Sequence, residues 1–280
     1  MDEEEYGAKQ ACKYLGISDS FLKNSKEIPI FKKGRKRVCS KQSLDEWKAA
    51  REKRTLLLDV RDYAKCFDFA LAMHYRGYTA ADWGTSRKRE AGQNLTNWIR
   101  GQLGEIAVQK FLKRDFNLDV ELDFDLHDEI VPQDIIGVKE KSGIREPKIR
   151  VAVKATKFRN SWLILGTADV EPANRQSDAY ILTRIDLPDD HLIRIAKKEL
   201  KELLKNEKHF GSYREKLADF EPVPCEVAGF AYRNELEKVE DTARLAGILG
   251  TRNPTGARYV KVSGELRISK EDWNELIKRI

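Results

Sequence analysis

The sequence predicts an α/β protein: a mixed central sheet flanked by helices, preceded by a small unit of short helices and a hairpin. Three observations carry that expectation. After residue 94, helical and strand-like segments alternate, the pattern of helices packed on a sheet. Before residue 55, two short helical patterns, a basic hairpin and a longer helix follow one another. The chain has 280 residues, 41% hydrophobic and 35% charged, enough apolar material for two units under a charged surface.

The same composition excludes several classes. No run of 18 apolar residues exists, so no membrane-spanning helix is expected. The opening "MDEEEYG" is acidic and lacks an apolar stretch, so it does not read as a secretory signal. Cys12, Cys39, Cys66 and Cys225 are far apart, which favours free thiols in a cytoplasm over a zinc knuckle or a disulfide framework. The four histidines are scattered, and none is assigned as a ligand. A net charge of +6 permits nucleic-acid binding without requiring it.

In the first unit, Ala8, Ala11, Cys12 and Leu15 share one helical face. Gly16 ends that helix, and Ser18 is a good N-cap for a second one from Asp19 to about Ser25. "IPIFK" and "RKRVCS" flank a Lys33-Gly34 turn, and a helix capped by Ser40 or Ser43 follows. Five of the six residues 32–37 are basic, which suits contact with phosphate. The stretches "ACKYLGISDSFL" and "IPIFKKGRKRVCSKQSLDEW" together resemble the winged helix-turn-helix domain of phage excisionases. The resemblance implies a DNA-binding domain over residues 1–55. It places Ser18, Asp19, Ser20 and Lys23 towards the major groove, and Lys32, Lys33, Arg35, Lys36 and Arg37 on the wing.

Residues 56–93 read as a helical connector: "LLLDVRDYAKCFDFALAMHYRGY" is amphipathic, and "TAADWGTSRKREAGQN" is a basic loop whose Arg87, Lys88 and Arg89 read best as solvated. Residues 94–240 read as the second domain. A helix presents Trp98, Leu103, Ile106, Ala107 and Phe111 to a core. Strands are expected at "VELDFDL", "DIIGV", "IRVAVKATK", "SWLILG", "SDAYILTRID", "HLIRI" and "CEVAGFAYR", with helices at "AKKELKELLKN" and from "NELEKVED". Residues 241–280 are expected to add a hairpin-like piece and a terminal helix starting near Ser269.

One strand carries an anomaly. In "IRVAVKATK" a lysine, Lys154, interrupts an apolar run, and a buried ammonium is costly without a partner. Glu105 lies in the preceding helix and Asp134 opens the short apolar piece "DIIGV". Glu105, Asp134 and Lys154 in that order resemble the PD-(D/E)XK core of restriction endonucleases over roughly residues 94–238. That resemblance implies an α/β restriction-endonuclease-like domain that hydrolyses phosphodiester bonds with Mg²⁺. Asp134 and Glu105 are then the metal ligands and Lys154 the group that orients the attacking water and stabilises developing charge.

Ala152 departs from the pattern, since the family places an acid two residues before the lysine. Three readings compete: the acid has moved, with Glu105 and Asp125 as the nearest candidates; the chain is a naturally inactive relative; or Ala152 was substituted to trap an uncleaved complex, the reading preferred, narrowly over the first. The expected function is that of a type II restriction-like endodeoxyribonuclease acting on double-stranded DNA, with no membrane partner. Two strands need two sites, so the resemblance also implies a homodimer. The alternatives are a DNA-binding regulator or recombination factor with a degenerate core, and a structure-specific repair nuclease.

Overall fold

The computed structural model describes residues 4–34, 36–76, 91–126, 133–173, 175–194, 222–241 and 256–280. Local chemistry sets the first elements. The helix Ala8–Leu15 (α1) stops because Gly16 takes a left-handed φ of 65°, open to glycine at no steric cost. The Ser18 side chain accepts a hydrogen bond from the Phe21 N–H and starts Asp19–Asn24 (α2). Phe31–Lys33 (β2) and Lys36–Ser40 (β3) form the hairpin, in which Lys32 lies opposite Arg37. Ser40, rather than Ser43, caps Lys41–Arg54 (α3). A short strand that the sequence did not announce, Glu5–Gly7 (β1), pairs with β3 on its other side. Ala11, Phe21, Leu22, Ile28, Cys39, Leu44 and Trp47 close a small core beneath these elements.

The larger part is a mixed α/β fold built on several sheets. Its central one holds Thr55–Leu58 (β4), Val223–Tyr232 (β11), Ala179–Ile185 (β10) and Val151–Lys157 (β8), in the order β4-β11-β10-β8. β8 and β10 run parallel, and the other pairs are antiparallel. Asp59 ends β4 and begins Val60–Tyr75 (α4): its carboxylate accepts from the Arg61 and Asp62 N–H groups while Asp62 reaches back to its own N–H. α4 packs against Ala91–Phe116 (α5), which lies across one face of the sheet. Val151, Val153, Ile181 and Val227 meet Leu103, Ile106 and Ala107 of α5 in the main core.

The alternate residues face the opposite way. Ala152, Tyr180, Leu182 and Ala228 pack under Leu163 and Leu165 of Trp162–Gly166 (β9) and Val170 of Thr167–Val170 (α6). β9 pairs with Arg258–Val262 (β13), which pairs with Glu237–Val239 (β12). A fourth sheet, Asp119–Leu122 (β5), Ile135–Glu140 (β6) and Gly143–Arg145 (β7), flanks β8, and Lys270–Arg279 (α7), capped by Ser269, buries Trp273 and Leu276 in the main core.

Four local expectations are corrected. Leu56–Leu58, read as the start of a helix, belong to β4, because a three-leucine run fills a sheet position against β11. α5 begins at Ala91, before residue 94. Residues 191–194, expected as a strand, turn helically behind Pro188, with the Arg194 N–H bonded to the Asp190 carbonyl. "NELEKVED" makes a 3₁₀ turn, Arg233–Glu235, and then β12, so β13 completes a sheet with β12 and β9 instead of a separate hairpin. Arg35, the Arg87–Arg89 run and the "AKKELKELLKN" segment lie outside the described residues.

The two parts are joined by buried charge. Arg184 on β10 is 0% exposed; one of its nitrogens donates to Glu226 Oε2 at 3.1 Å and another to Glu27 Oε1 at 2.5 Å. Arg51 of α3 donates to Glu226 Oε2 at 2.8 Å and stacks over the Phe158 ring, 4.1 Å from its centroid. The Trp47 indole N–H donates to Glu27 Oε2 at 2.8 Å. Removing one partner of a buried pair strands the other, so Glu226→Ala should lower the unfolding free energy by about 3–5 kcal/mol. Urea denaturation checks this; a loss below about 1 kcal/mol, the range of exposed pairs, would show that the network is not stabilising.

Candidate active site

Among the described residues β8 is the last strand of its sheet, with no neighbouring strand on one of its edges. Asp134 takes that edge. The Val153 N–H donates to Asp134 Oδ2 at 2.6 Å, and the Asp134 N–H donates to the Val151 carbonyl at 3.0 Å. Two backbone groups that an edge would leave open are thereby matched, and the carboxylate is pinned between the two faces of the sheet.

Glu105 approaches from the α5 face. The helix can press close because residue 104 is glycine: a Cβ there would lie 2.9 Å from Ala155 Cβ and strike the Thr183 hydroxyl. Glu105 is only 7% exposed; Gln102 Nε2 donates to its Oε1 at 3.0 Å, and its buried Oε2 has no hydrogen-bond partner among the described residues. Burial pushes its carboxyl well above the ordinary 4.5, and the charges of Asp134 and Asp123 push in the same direction. Asp134 is also raised, chiefly by burial, against the opposing pull of Lys154 and the Val153 N–H.

Lys154 comes from the other face, the one it shares with Ala152. Its Nζ lies 3.5 Å from Asp169 Oδ1 of α6. Burial works against the ammonium, but Asp169 and Asp134 outweigh it and hold the group above its ordinary value. The three residues singled out from sequence therefore meet electrostatically around one strand edge. Ala152 stays out of that meeting: it is 5% exposed among Leu163, Leu165, Val170 and Tyr180. Asp125 is exposed, whereas Asp123, two residues earlier, acts on both the buried Glu105 carboxyl and the half-buried Asp134. Asp169 was missed; the signal that could have found it is an acid placed just after β9, where it accepts from the Gly166 N–H at 3.1 Å.

Among the described residues, no three His, Cys, Asp or Glu side chains form a cage for a metal ion. Mg²⁺ does not require one, since it is commonly held by one or two carboxylates together with waters and substrate phosphates. The orphaned Glu105 Oε2 near Asp134 fits a half-site of that kind, in which a cation takes the place of the proton that burial favours.

The candidate DNA-facing residues are also arranged. Ser18 is committed to capping α2, and Ser20 accepts from Asn24 Nδ2 at 3.1 Å. Asp19 pairs with Lys23 at 2.5 Å and with Arg37 at 3.1 Å, which ties α2 to β3. Lys33 pairs with Glu5 at 2.8 Å. Lys32 and Lys36 are exposed and make no ion pair among the described residues.

No protein-family model matches the chain, and neither does any curated protein or solved structure. Among the described residues, no helix is long and apolar enough to cross a membrane.

The raised Glu105 pKa has a measurable sign. A carboxyl whose folded pKa lies above its unfolded one contributes stability at low pH and loses it as pH rises through the folded value. Glu105 should therefore contribute a fall in the thermal stability of the metal-free protein as pH climbs above about 4.5 into the neutral range, against the opposite contribution of buried His191, whose lowered pKa favours the fold as pH rises. Glu105→Gln should flatten that fall, and millimolar Mg²⁺ should reverse it in the unsubstituted chain. Thermal midpoints measured from pH 4.5 to 8 test this; parallel curves for the two proteins would show that Glu105 keeps no proton.

Proposed function

We propose that the chain is a metal-dependent DNA endonuclease of the restriction type, with residues 5–54 serving as a winged helix-turn-helix and the larger part as a PD-(D/E)XK core. The observation that carries the reading is the electrostatic convergence of Asp134, Glu105 and Lys154 at the edge of β8 that Asp134 occupies, with Glu105 Oε2 buried and unpartnered among the described residues. Carboxylates that repel one another in a dry site, beside one ammonium group, suit a divalent cation and a phosphate better than they suit a resting protein.

Asp134 and Glu105 would hold Mg²⁺. When bound, the ion supplies Lewis acidity and lowers the pKa of a coordinated water. The chain's own contribution is positional. Asp134 is fixed by the Val153 N–H, so its free oxygen keeps one direction. Lys154, kept protonated by its acidic neighbours, is suited to hold the attacking water and to stabilise the negative charge that builds on the phosphoryl oxygens. The new P–O bond forms to water oxygen, the bond to the leaving sugar oxygen breaks, and that oxygen takes up a proton as the water gives one up.

A second reading, a DNA-binding regulator with a degenerate core, is favoured by one observation, the alanine at position 152. Plasmid cleavage separates the two. The unsubstituted chain should nick or cut supercoiled DNA with Mg²⁺ and stop when the metal is chelated. Asp134→Asn and Lys154→Ala should each slow cleavage about 10²–10³-fold while DNA binding persists. Discrete fragments would favour restriction over structure-specific repair. An absence of cutting with both Mg²⁺ and Mn²⁺ would leave the regulator.

The wing has its own test. Lys32→Ala and Lys36→Ala should weaken binding to all sequences and reduce the slope of log K against log salt by about 0.9 for each lysine. An unchanged slope in a binding titration would remove the hairpin from the interface.

A further inference from the structure

We propose that Asp169, delivered by α6, is the positioning residue for Lys154, and that alanine at position 152 is the side chain whose small size lets α6 deliver it. The inference deepens the nuclease reading and rests on it for the effect on cleavage, but its geometry stands apart from any activity.

Asp169 is held from two sides. Its Oδ2 accepts from the Gly166 N–H at 3.1 Å, which closes the start of α6. Its backbone carbonyl accepts from the Tyr180 hydroxyl at 3.0 Å, and that hydroxyl accepts in turn from the Ser177 N–H at 3.1 Å. The remaining carboxylate oxygen, Oδ1, is the one directed at Lys154 Nζ, 3.5 Å away. A half-buried lysine with three rotatable donors and a flexible stem needs such a partner to keep one orientation.

Ala152 belongs to the same unit. It is the register partner of Tyr180 across the parallel β8–β10 pair, and both pack with Val170, the residue after Asp169. A glutamate at 152 would drive a carboxylate into that apolar cluster and push α6, with Asp169, away from Lys154. The two positions are therefore a matched pair: the strand gives up an acid, and the following helix returns one to the same ammonium from another direction. On this account Ala152 is a fitted part of the packing and not a site of damage. Ala152→Glu, which the sequence alone suggests as a repair, should lower thermal stability and gain no cleavage.

The test uses the full chain labelled with ¹⁵N, free of metal and DNA. The lysine ammonium correlation that disappears in Lys154→Arg is assigned to Lys154. It should be lost or broadened in Asp169→Asn and retained in Asp169→Glu, at thermal midpoints close to wild type. In parallel, Asp169→Asn should slow Mg²⁺-dependent plasmid cleavage about 10–100-fold with DNA affinity unchanged, and Asp169→Glu should recover part of it. An ammonium signal indifferent to Asp169→Asn overturns the proposal, as does faster cleavage by Ala152→Glu. If no form cuts DNA while the signal still depends on Asp169, the positioning stands and the nuclease reading falls.

Discussion

Arg184 lies on β10 with no access to solvent, and the two parts of the molecule are joined around the need to match its charge. A guanidinium is costly to bury unless carboxylates meet it with good geometry. Glu226, its neighbour on β11, meets one edge; Glu27, from the loop between α2 and β2, meets the other. Because the second carboxylate belongs to the N-terminal unit, that unit cannot leave the sheet without stranding the arginine. Arg51 and Arg54 of α3 add two more contacts to Glu226, so the joint is a network. Its charges are offset by rings as well as by ions: Arg51 lies over Trp47 and Phe158, and Arg184 over Phe21.

This joint gives the functional proposal its mechanical sense. In a hinged protein, a DNA-binding unit and a cutting unit must find their relation anew on each encounter. Here the hairpin and α2 are tied to each other through Asp19 and Arg37, and α3 is tied to the sheet through Arg51. DNA gripped by the first part would meet the edge of β8 in a set orientation, which reduces the ordering left to be done at the reacting phosphate.

At that edge the same atoms serve stability and chemistry. An open strand edge invites pairing with other chains, and Asp134 closes it by engaging the backbone of Val151 and Val153. The closure buries a carboxylate next to Glu105 and within the field of Lys154, and so raises the pKa of both acids. Charge frustration of this kind, enclosed by a packed helix on one face and a second sheet on the other, is typical of functional sites.

By itself the sequence determined what depends on neighbours along the chain. The stop at Gly16, the caps at Ser18 and Ser269, the hairpin turn after Lys33 and the alternation of β8 were all legible, because each is set by interactions spanning a few residues. Glu105, Asp134 and Lys154 were legible as a pattern of residue types. Tertiary structure decided the rest. The leucines at 56–58 suit a helix or a strand equally until β11 offers a partner. "NELEKVED" favours a helix by local propensity, and pairing with β13 overrides it. No local rule shows that Arg184 needs Glu27, that Asp123 rather than Asp125 acts on the buried acids, or that Asp169 reaches Lys154. Those relations arise only when burial removes water, because in water each of these charges is satisfied alone and has no need of the others.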